Sequence, residues 1–299
     1  MSIALIVHGG AGNIRPERIE GSKVGCTRAA SAGWQVLKEG GSALDAVEAA
    51  VLVLENDPHF NAGTGSCLNR AGNIEMDAGM MDGSTLQMGA IAGLELIKNP
   101  ISLARRVLES EHALLIGSGA QYFAQEVGIP LCSYEDLLTE RQYNAWKNQE
   151  SSSLTFSAKD EKARKHGTVG AVAIDLEGRL AAATSTGGIL NKYPGRVGDS
   201  PLVGCGFYAD EYAAVSCTGY GEDFIRLMIA QRAAAAVAQG DSARSAAEST
   251  IEFLTQHASG IGGLIIVDRN GRIGKAKNSP HLAYAYITEE MDIPVAAIE

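Results

Sequence analysis

The chain is short of the residues that would staple it or bind a transition metal. It holds five cysteines, Cys26, Cys67, Cys132, Cys205 and Cys217, and no two form a CxxC pair. An odd, scattered set argues against a disulfide framework and against a structural zinc site. The six histidines are dispersed, and none falls in an HExxH pattern. A GxSxG segment is also missing, so there is no serine-hydrolase elbow. No stretch is apolar over the length a membrane span needs. The first residues, Met-Ser-Ile-Ala-Leu-Ile-Val-His, lack the basic start and apolar core of a secretion signal. Positive charge is in deficit, with a formal net charge of -10. An acidic surface repels phosphate backbones, which excludes nucleic acid as a partner. The expectation is a protein of the reducing cytoplasm with neither a nucleic-acid nor a membrane partner.

What is present is an ordinary globular balance. Of 299 residues, 45% are hydrophobic and 20% charged. The 35 glycines are more than average use and point to many tight turns and close approaches in a sheet-rich enzyme.

Periodicity gives the order of elements. Residues 3–7 read as a buried strand that runs into His8-Gly9-Gly10-Ala11-Gly12. Residues 22–39 carry helical spacing, which Gly40 and Gly41 terminate. Ser42, with Asp45 three residues on, opens a second helix that Asn56, Asp57 and Pro58 end. Strands are expected at 67–76 and 84–94, a helix from Asn99-Pro100 to Leu108, a strand at 113–116 and a short helix at 120–126. Residues 150–165 have little periodicity and read as a solvated linker. Residues 168–175 and 180–185 form a hairpin whose first residue is Thr168. Helices follow at 223–237 and 242–256, then a hairpin across Asn270-Gly271 and a closing strand at 282–287. Hairpins alternating with helix pairs imply an α+β chain of mainly antiparallel sheets covered by helices.

The strongest local feature is His166-Gly167-Thr168-Val169-Gly170, where linker meets strand. A threonine hydroxyl can attack the carbonyl that precedes it, and Gly167 leaves that carbonyl unshielded. The ester formed is hydrolysed by water and frees an N-terminal threonine. Its α-amine, with a reference pKa of about 7.7–8.0, can act as base for its own hydroxyl. No separate histidine is then needed. The glycines after the first strand lack GxGxxG spacing and a suitably placed acid, which leaves a nucleotide-binding α/β protein weakly supported.

The wider pattern resembles a known family. Its motifs are His8-Gly9-Gly10-Ala11-Gly12, Asn61-Ala62-Gly63-Thr64-Gly65, and Met76-Asp77-Ala78 with Met81-Asp82-Gly83. They continue with Gly167-Thr168-Val169-Gly170-Ala171-Val172, Thr184-Ser185-Thr186-Gly187-Gly188 and Gly195-Arg196-Val197-Gly198-Asp199-Ser200-Pro201, and end with Thr218-Gly219-Tyr220-Gly221-Glu222. In these the chain is similar to the plant-type asparaginases, or isoaspartyl peptidases, of the N-terminal-nucleophile hydrolases, over nearly its whole length. The resemblance implies a four-layer αββα sandwich and one domain, cut into residues 1–167 and 168–299, with a flexible linker at about 150–167. It implies Thr168 as nucleophile, Thr186 beside its hydroxyl, and Thr218 and Gly219 as oxyanion hole.

The same resemblance gives Arg196 the substrate α-carboxylate, and Asp199 with the Gly221 carbonyl the α-ammonium. Those charges suit a zwitterionic amino acid, since a guanidinium fork pairs with a carboxylate. Substrates would be L-asparagine and β-aspartyl dipeptides. No cofactor would serve catalysis; a structural sodium ion would rest on backbone carbonyls of Leu54, Glu55, Asp57, Phe60, Ala62 and Thr64. Tyr220 would line the mouth of the site. The cut chains would assemble as a heterotetramer, (αβ)2. Glycosylasparaginase activity is one alternative, and a catalytically silent amino-acid-binding protein of the same fold is another.

Overall fold

The protein is described here from a computed structural model, which covers residues 2–150 and 167–299. The expected linker, apart from its two ends, lies outside the described residues. Among these, the chain is α+β with two sheets and helices. The larger sheet contains β1 (Ala4–Gly12), β2 (Met76–Asp82), β3 (Met88–Leu94), β4 (Leu114–Ile116), β5 (Val169–Ile174) and β6 (Leu180–Thr186). The smaller contains β7 (Phe207–Ala209), β8 (Ala213–Gly219), β9 (Gly262–Asp268) and β10 (Ile273–Lys277). Strands β11 (His281–Thr288) and β12 (Val295–Ile298) rejoin the larger sheet, whose order is β12-β11-β1-β5-β6-β2-β3-β4. All neighbours are antiparallel except β3 and β4.

Side-chain alternation distributes the apolar residues. On β1, Leu5 and Val7 join a core with the helices α1 (Pro16–Lys38), α2 (Ala43–Glu55) and α3 (Pro100–Leu108), while Ala4 and Ile6 join a second core. That second core also holds Phe207, Ala214, Ile265 and Val267 of the smaller sheet. A third core takes Leu264 and Ile266 of β9. Burying one large aliphatic residue such as Leu5 or Ile6, neither of which is exposed, contributes about 1.5–3 kcal/mol.

The first helix starts earlier than its apolar spacing indicates. Pro16 sits in its first turn, where a fixed φ and a missing N–H cost nothing. It ends as expected: Gly40 takes a φ of +82°, and Gly40 and Gly41 donate to the carbonyls of Leu37 and Val36. At α2, the Ser42 side chain accepts from the Asp45 amide at 3.1 Å. The segment 67–75 is not strand; only Met76 onward pairs. Beyond α4 (Gly117–Glu126), the weakly patterned stretch folds into α5 (Tyr134–Leu137) and α6 (Glu140–Glu150). The single helix expected at 223–237 is two, α7 (Gly221–Leu227) and α8 (Ile229–Ala238), because Met228 between them has a left-handed φ of +50°. Helix α9 (Ala243–His257) is capped by Ser242. No helix among the described residues is long and apolar enough to cross a membrane.

Candidate active site

The Gly167–Thr168 peptide bond enters the middle of the larger sheet. Strand β5 starts one residue later, between β1 and β6. Thr168 is thereby buried and clamped by its neighbours. Its hydroxyl donates to Thr186 Oγ1 at 3.2 Å, and the Thr186 hydroxyl in turn donates to the Gly167 carbonyl at 2.9 Å. The Gly188 amide also donates to Thr186 Oγ1, at 2.9 Å. A second donor reaches the same Gly167 carbonyl: Asn61 Nδ2, at 2.8 Å. Asn61 is held in turn, since its Oδ1 accepts from the Cys67 amide and its Nδ2 also reaches the Gly188 carbonyl.

The carbonyl of Thr168 itself is fixed by His8 Nδ1 at 3.1 Å. Because a carbonyl only accepts, His8 carries its proton on Nδ1. Nε2 then accepts from Ser216 Oγ at 3.0 Å, and Ser216 Oγ and Thr184 Oγ1 share a hydrogen bond of 2.6 Å. Full burial lowers the His8 pKa to about 3, against the opposing effect of the Thr168 carbonyl, so this imidazole is neutral. Gly170 makes room for the chain of bonds, since a Cβ there would stand 2.0 Å from Ser216 Oγ and 2.6 Å from His8 Nε2.

On the other side of Thr168 lie Arg196 and Asp199. They are not paired with one another as a surface ion pair would be. Arg196 instead makes a two-point contact with Glu222, Nε to Oε1 at 2.9 Å and Nη2 to Oε2 at 2.7 Å. Asp199 is buried, and its Oδ2 has no hydrogen-bond partner. Burial raises its pKa to about 7, with Arg196 nearby pulling the other way. Buried Asp77 accepts from the Gly93 and Gly198 amides and so anchors the loop carrying both residues.

Gly221 packs against this pair. A Cβ there would meet Arg196 Nη2 at 2.9 Å and Asp199 Oδ1 at 3.0 Å. Thr218 and Gly219 are the last residues of β8 rather than part of a helix-entry loop; Tyr220 is the N-cap of α7. The Thr218 hydroxyl oxygen accepts from the Ala11 amide at 3.1 Å, which leaves its proton available to a ligand. A cavity of about 10 Å³, room for about one water, is lined by Thr168, Thr186, Arg196, Asp199 and Gly219.

Residues 54–64 run from the last residues of α2 through a series of turns. The carbonyls of Leu54, Glu55 and Asp57 accept the amides of Asp57, Thr64 and Phe60, and that of Phe60 accepts Arg141 Nη2 at 3.2 Å. Other backbone oxygens crowd the loop glycines. A Cβ on Gly63 would stand 2.5 Å from the Glu55 oxygen and 2.9 Å from that of Lys98. The carbonyl oxygens of Leu54, Glu55, Asp57 and Phe60 thus each already accept one hydrogen bond and keep a second lone pair. Ala62 and Thr64 lie in the same loop. Among the described residues no cluster of His, Cys, Asp or Glu side chains is fit for a metal ion.

Of the residues the sequence singles out, Thr168, Thr186, Arg196, Asp199 and Gly219 line one small cavity, Gly221 packs against Arg196 and Asp199, and Thr218 precedes Gly219 on β8. Sequence reasoning left Asn61, His8, Asp77 and Glu222 without a role, although each stands in a recognised motif. The motifs were the available signal; what each side chain touches was not.

Comparison with known proteins sets this geometry among hydrolases. A family profile described as Asparaginase matches residues 1–296. The isoaspartyl peptidase/L-asparaginase of Mus musculus is 49% identical over 275 residues, 91% of this chain and 83% of its own length. The plant-type L-asparaginase of Pyrococcus abyssi is 46% identical over 309 aligned positions, 99% of this chain and all of its own. That of Pyrococcus furiosus is also 46% identical, over 99% of this chain. The chain belongs to the asparaginase family.

Proposed function

We propose that the chain cuts itself between Gly167 and Thr168 and then, as an N-terminal threonine amidohydrolase, releases L-aspartate from β-aspartyl dipeptides and L-asparagine. The observation that carries this reading is the pair of donors on the Gly167 carbonyl, Asn61 Nδ2 at 2.8 Å and Thr186 Oγ1 at 2.9 Å, with the Thr168 hydroxyl 3.2 Å from Thr186. Attack by Thr168 Oγ1 on the Gly167 carbon puts negative charge on an oxygen that already faces two donors. The Thr168 hydroxyl proton leaves through Thr186. Breaking the C–N bond returns a proton to the Thr168 nitrogen and leaves an ester. Water then hydrolyses the ester to a Gly167 carboxylate and a free Thr168 amine and hydroxyl.

In the cut enzyme the amine serves as base and the hydroxyl attacks the side-chain amide carbon of the substrate. The oxyanion is held by the Thr218 hydroxyl and the Gly219 amide. Ammonia or an amino acid leaves, and water hydrolyses the aspartyl ester. Arg196 binds the α-carboxylate; Asp199 and the Gly221 carbonyl bind the α-ammonium.

The same reading includes a single domain of four αββα layers, supported by the division of alternate β1 and β9 residues among three cores. It includes a structural sodium ion on the backbone carbonyls of residues 54–64 and an (αβ)2 assembly, both in line with the family. The filled set of reactive positions favours catalysis over a silent binding protein.

The test is Thr168→Ala. Wild type should give two fragments, 1–167 and 168–299, by intact mass, and should hydrolyse β-aspartyl dipeptides; the variant should stay whole and inactive. An uncut wild type that still hydrolyses them would overturn the mechanism. Release of aspartate from glycosylasparagine at the dipeptide rate would favour the glycosylasparaginase alternative.

A further inference from the structure

A second cavity, of about 60 Å³, lies against the scissile bond and shares Gly167 with the smaller one. Asn61, Ser22, Gln142 and two arginines, Arg18 and Arg141, are also in its wall. Among the described residues neither guanidinium has a carboxylate partner. Arg18 donates from Nη2 to the His59 carbonyl, while its Nε is buried without a partner. Arg141 donates only to neutral oxygens, the carbonyls of Pro58 at 2.9 Å, Phe60 at 3.2 Å and Gly65 at 3.4 Å. Burial, with Arg18 as a like charge beside it, lowers the Arg141 pKa to about 10. Both guanidinia are half-buried and spend their hydrogen bonds on neutral oxygens, with the charge of Glu17 acting on Arg18 alone, so an anion between them would relieve the imbalance.

The reaction proposed above makes such anions at this place. Hydrolysis at Gly167 adds the elements of water and turns a neutral carbonyl in the cavity wall into a carboxylate. A β-aspartyl dipeptide likewise brings a free carboxylate on its leaving residue, whereas L-asparagine does not.

We propose that the Arg18–Arg141 cavity is a carboxylate-binding site on the leaving-group side of Thr168. Its occupant is the new C-terminus at Gly167 or the leaving residue of a β-aspartyl dipeptide. The identity of the occupant rests on the self-cleavage reading; the affinity of the cavity for a carboxylate does not. A planar guanidinium such as that of Arg18 suits a carboxylate better than an ammonium would. Because Arg141 also braces the 58–65 loop, Arg18 is the cleaner probe.

The first arm uses the uncut Thr168→Ala protein, which supplies neither carboxylate. Its melting temperature is measured in sodium acetate against sodium chloride at equal ionic strength. Acetate should raise it; Arg18→Gln in that background should remove most of the rise, and Arg18→Lys should keep part of it. No acetate-specific rise, or an equal rise in Arg18→Gln, overturns the site, and neither result depends on catalysis.

The second arm uses the cut enzyme and compares kcat/KM for β-Asp-Leu with that for its C-terminal amide. A preference for the free acid of about tenfold or more, the scale of one charge-assisted hydrogen bond, that falls toward unity in Arg18→Gln assigns the site to the leaving residue. No preference, together with loss of acetate binding on cleavage, assigns it to Gly167. No preference with acetate binding retained overturns both occupants.

Discussion

At the scale of single residues, the chemistry depends on how donors are aimed before any bond breaks. Asn61 is fixed at three points: the Cys67 amide, the Gly188 carbonyl and the Gly167 carbonyl. Such bracing means that little reorganisation is needed when charge develops on the Gly167 oxygen. Asn61→Ala should therefore slow self-cleavage about 10²–10³-fold, the usual cost of about 2.7–4 kcal/mol for a lost oxyanion donor. A time course by denaturing gel measures it, and circular dichroism shows whether the variant is folded. A folded variant that cuts at the wild-type rate would remove Asn61 from the mechanism. Thr168 was legible because its reactivity is local, written in the glycine before it and the strand after it. Asn61 and His8 were not, because their partners lie 106 and 160 residues away in sequence. Arg196 was legible as a carboxylate reader, but its contact with Glu222 was not, since a loop residue and a residue of α7 lying 26 positions apart carry no spacing signal.

At the scale of elements, helices with chemical ends could be read, and so could β6 through its hairpin turn, while β8 could not. Ser42 and Gly40 mark their helix ends by side-chain and backbone demands that any chain shows. Strand β8, Ala-Ala-Val-Ser-Cys-Thr-Gly, is buried at every position and so has no in-out alternation. Helix α2 ends in Glu55, whose fully buried carboxyl accepts from Ser185 Oγ at 2.6 Å and the Ile101 amide at 2.9 Å. Burial raises its pKa to about 8 from an ordinary 4.5, more than these bonds lower it. Between those two values the folded chain binds this proton more tightly than the unfolded chain does. Its contribution to stability is thus full below the lower value and is lost as pH rises through the upper one, at up to about 1.4 kcal/mol per pH unit. The buried neutral His8 acts in the opposite sense at lower pH. Comparing wild type with Glu55→Gln therefore isolates the carboxyl: melting temperatures between pH 5.5 and 8.5 should fall more steeply for wild type. Equal slopes would mean that Glu55 is ionised in the fold. The same scan in choline chloride tests the sodium proposed for residues 54–64: if it is bound, both curves should fall when sodium is withheld.

At the scale of the whole molecule, the proposed cut at Gly167–Thr168 would not make two separable pieces. The larger sheet interleaves its halves: β12 and β11 come from after the cut, β1 from before it, β5 and β6 from after it, and β2, β3 and β4 from before it. Strand β5 pairs with β1 from His8–Gly170 to Ala4–Ile174 and with β6 on its other side. Separating the halves would break the β1–β5, β1–β11 and β2–β6 seams together. It would also expose Leu5, Ile6, Val7, Val169 and Val172, each fully buried, at about 1.5–3 kcal/mol apiece. Their sum is comparable to the 5–15 kcal/mol that holds a typical domain together, so dissociation amounts to unfolding. The fragments 1–167 and 168–299 should therefore co-elute in native gel filtration, even in high salt, and part only in denaturant. They should melt in one transition with coincident near- and far-ultraviolet circular dichroism. Elution of the two fragments as separate folded species in dilute buffer would contradict the interleaved sheet.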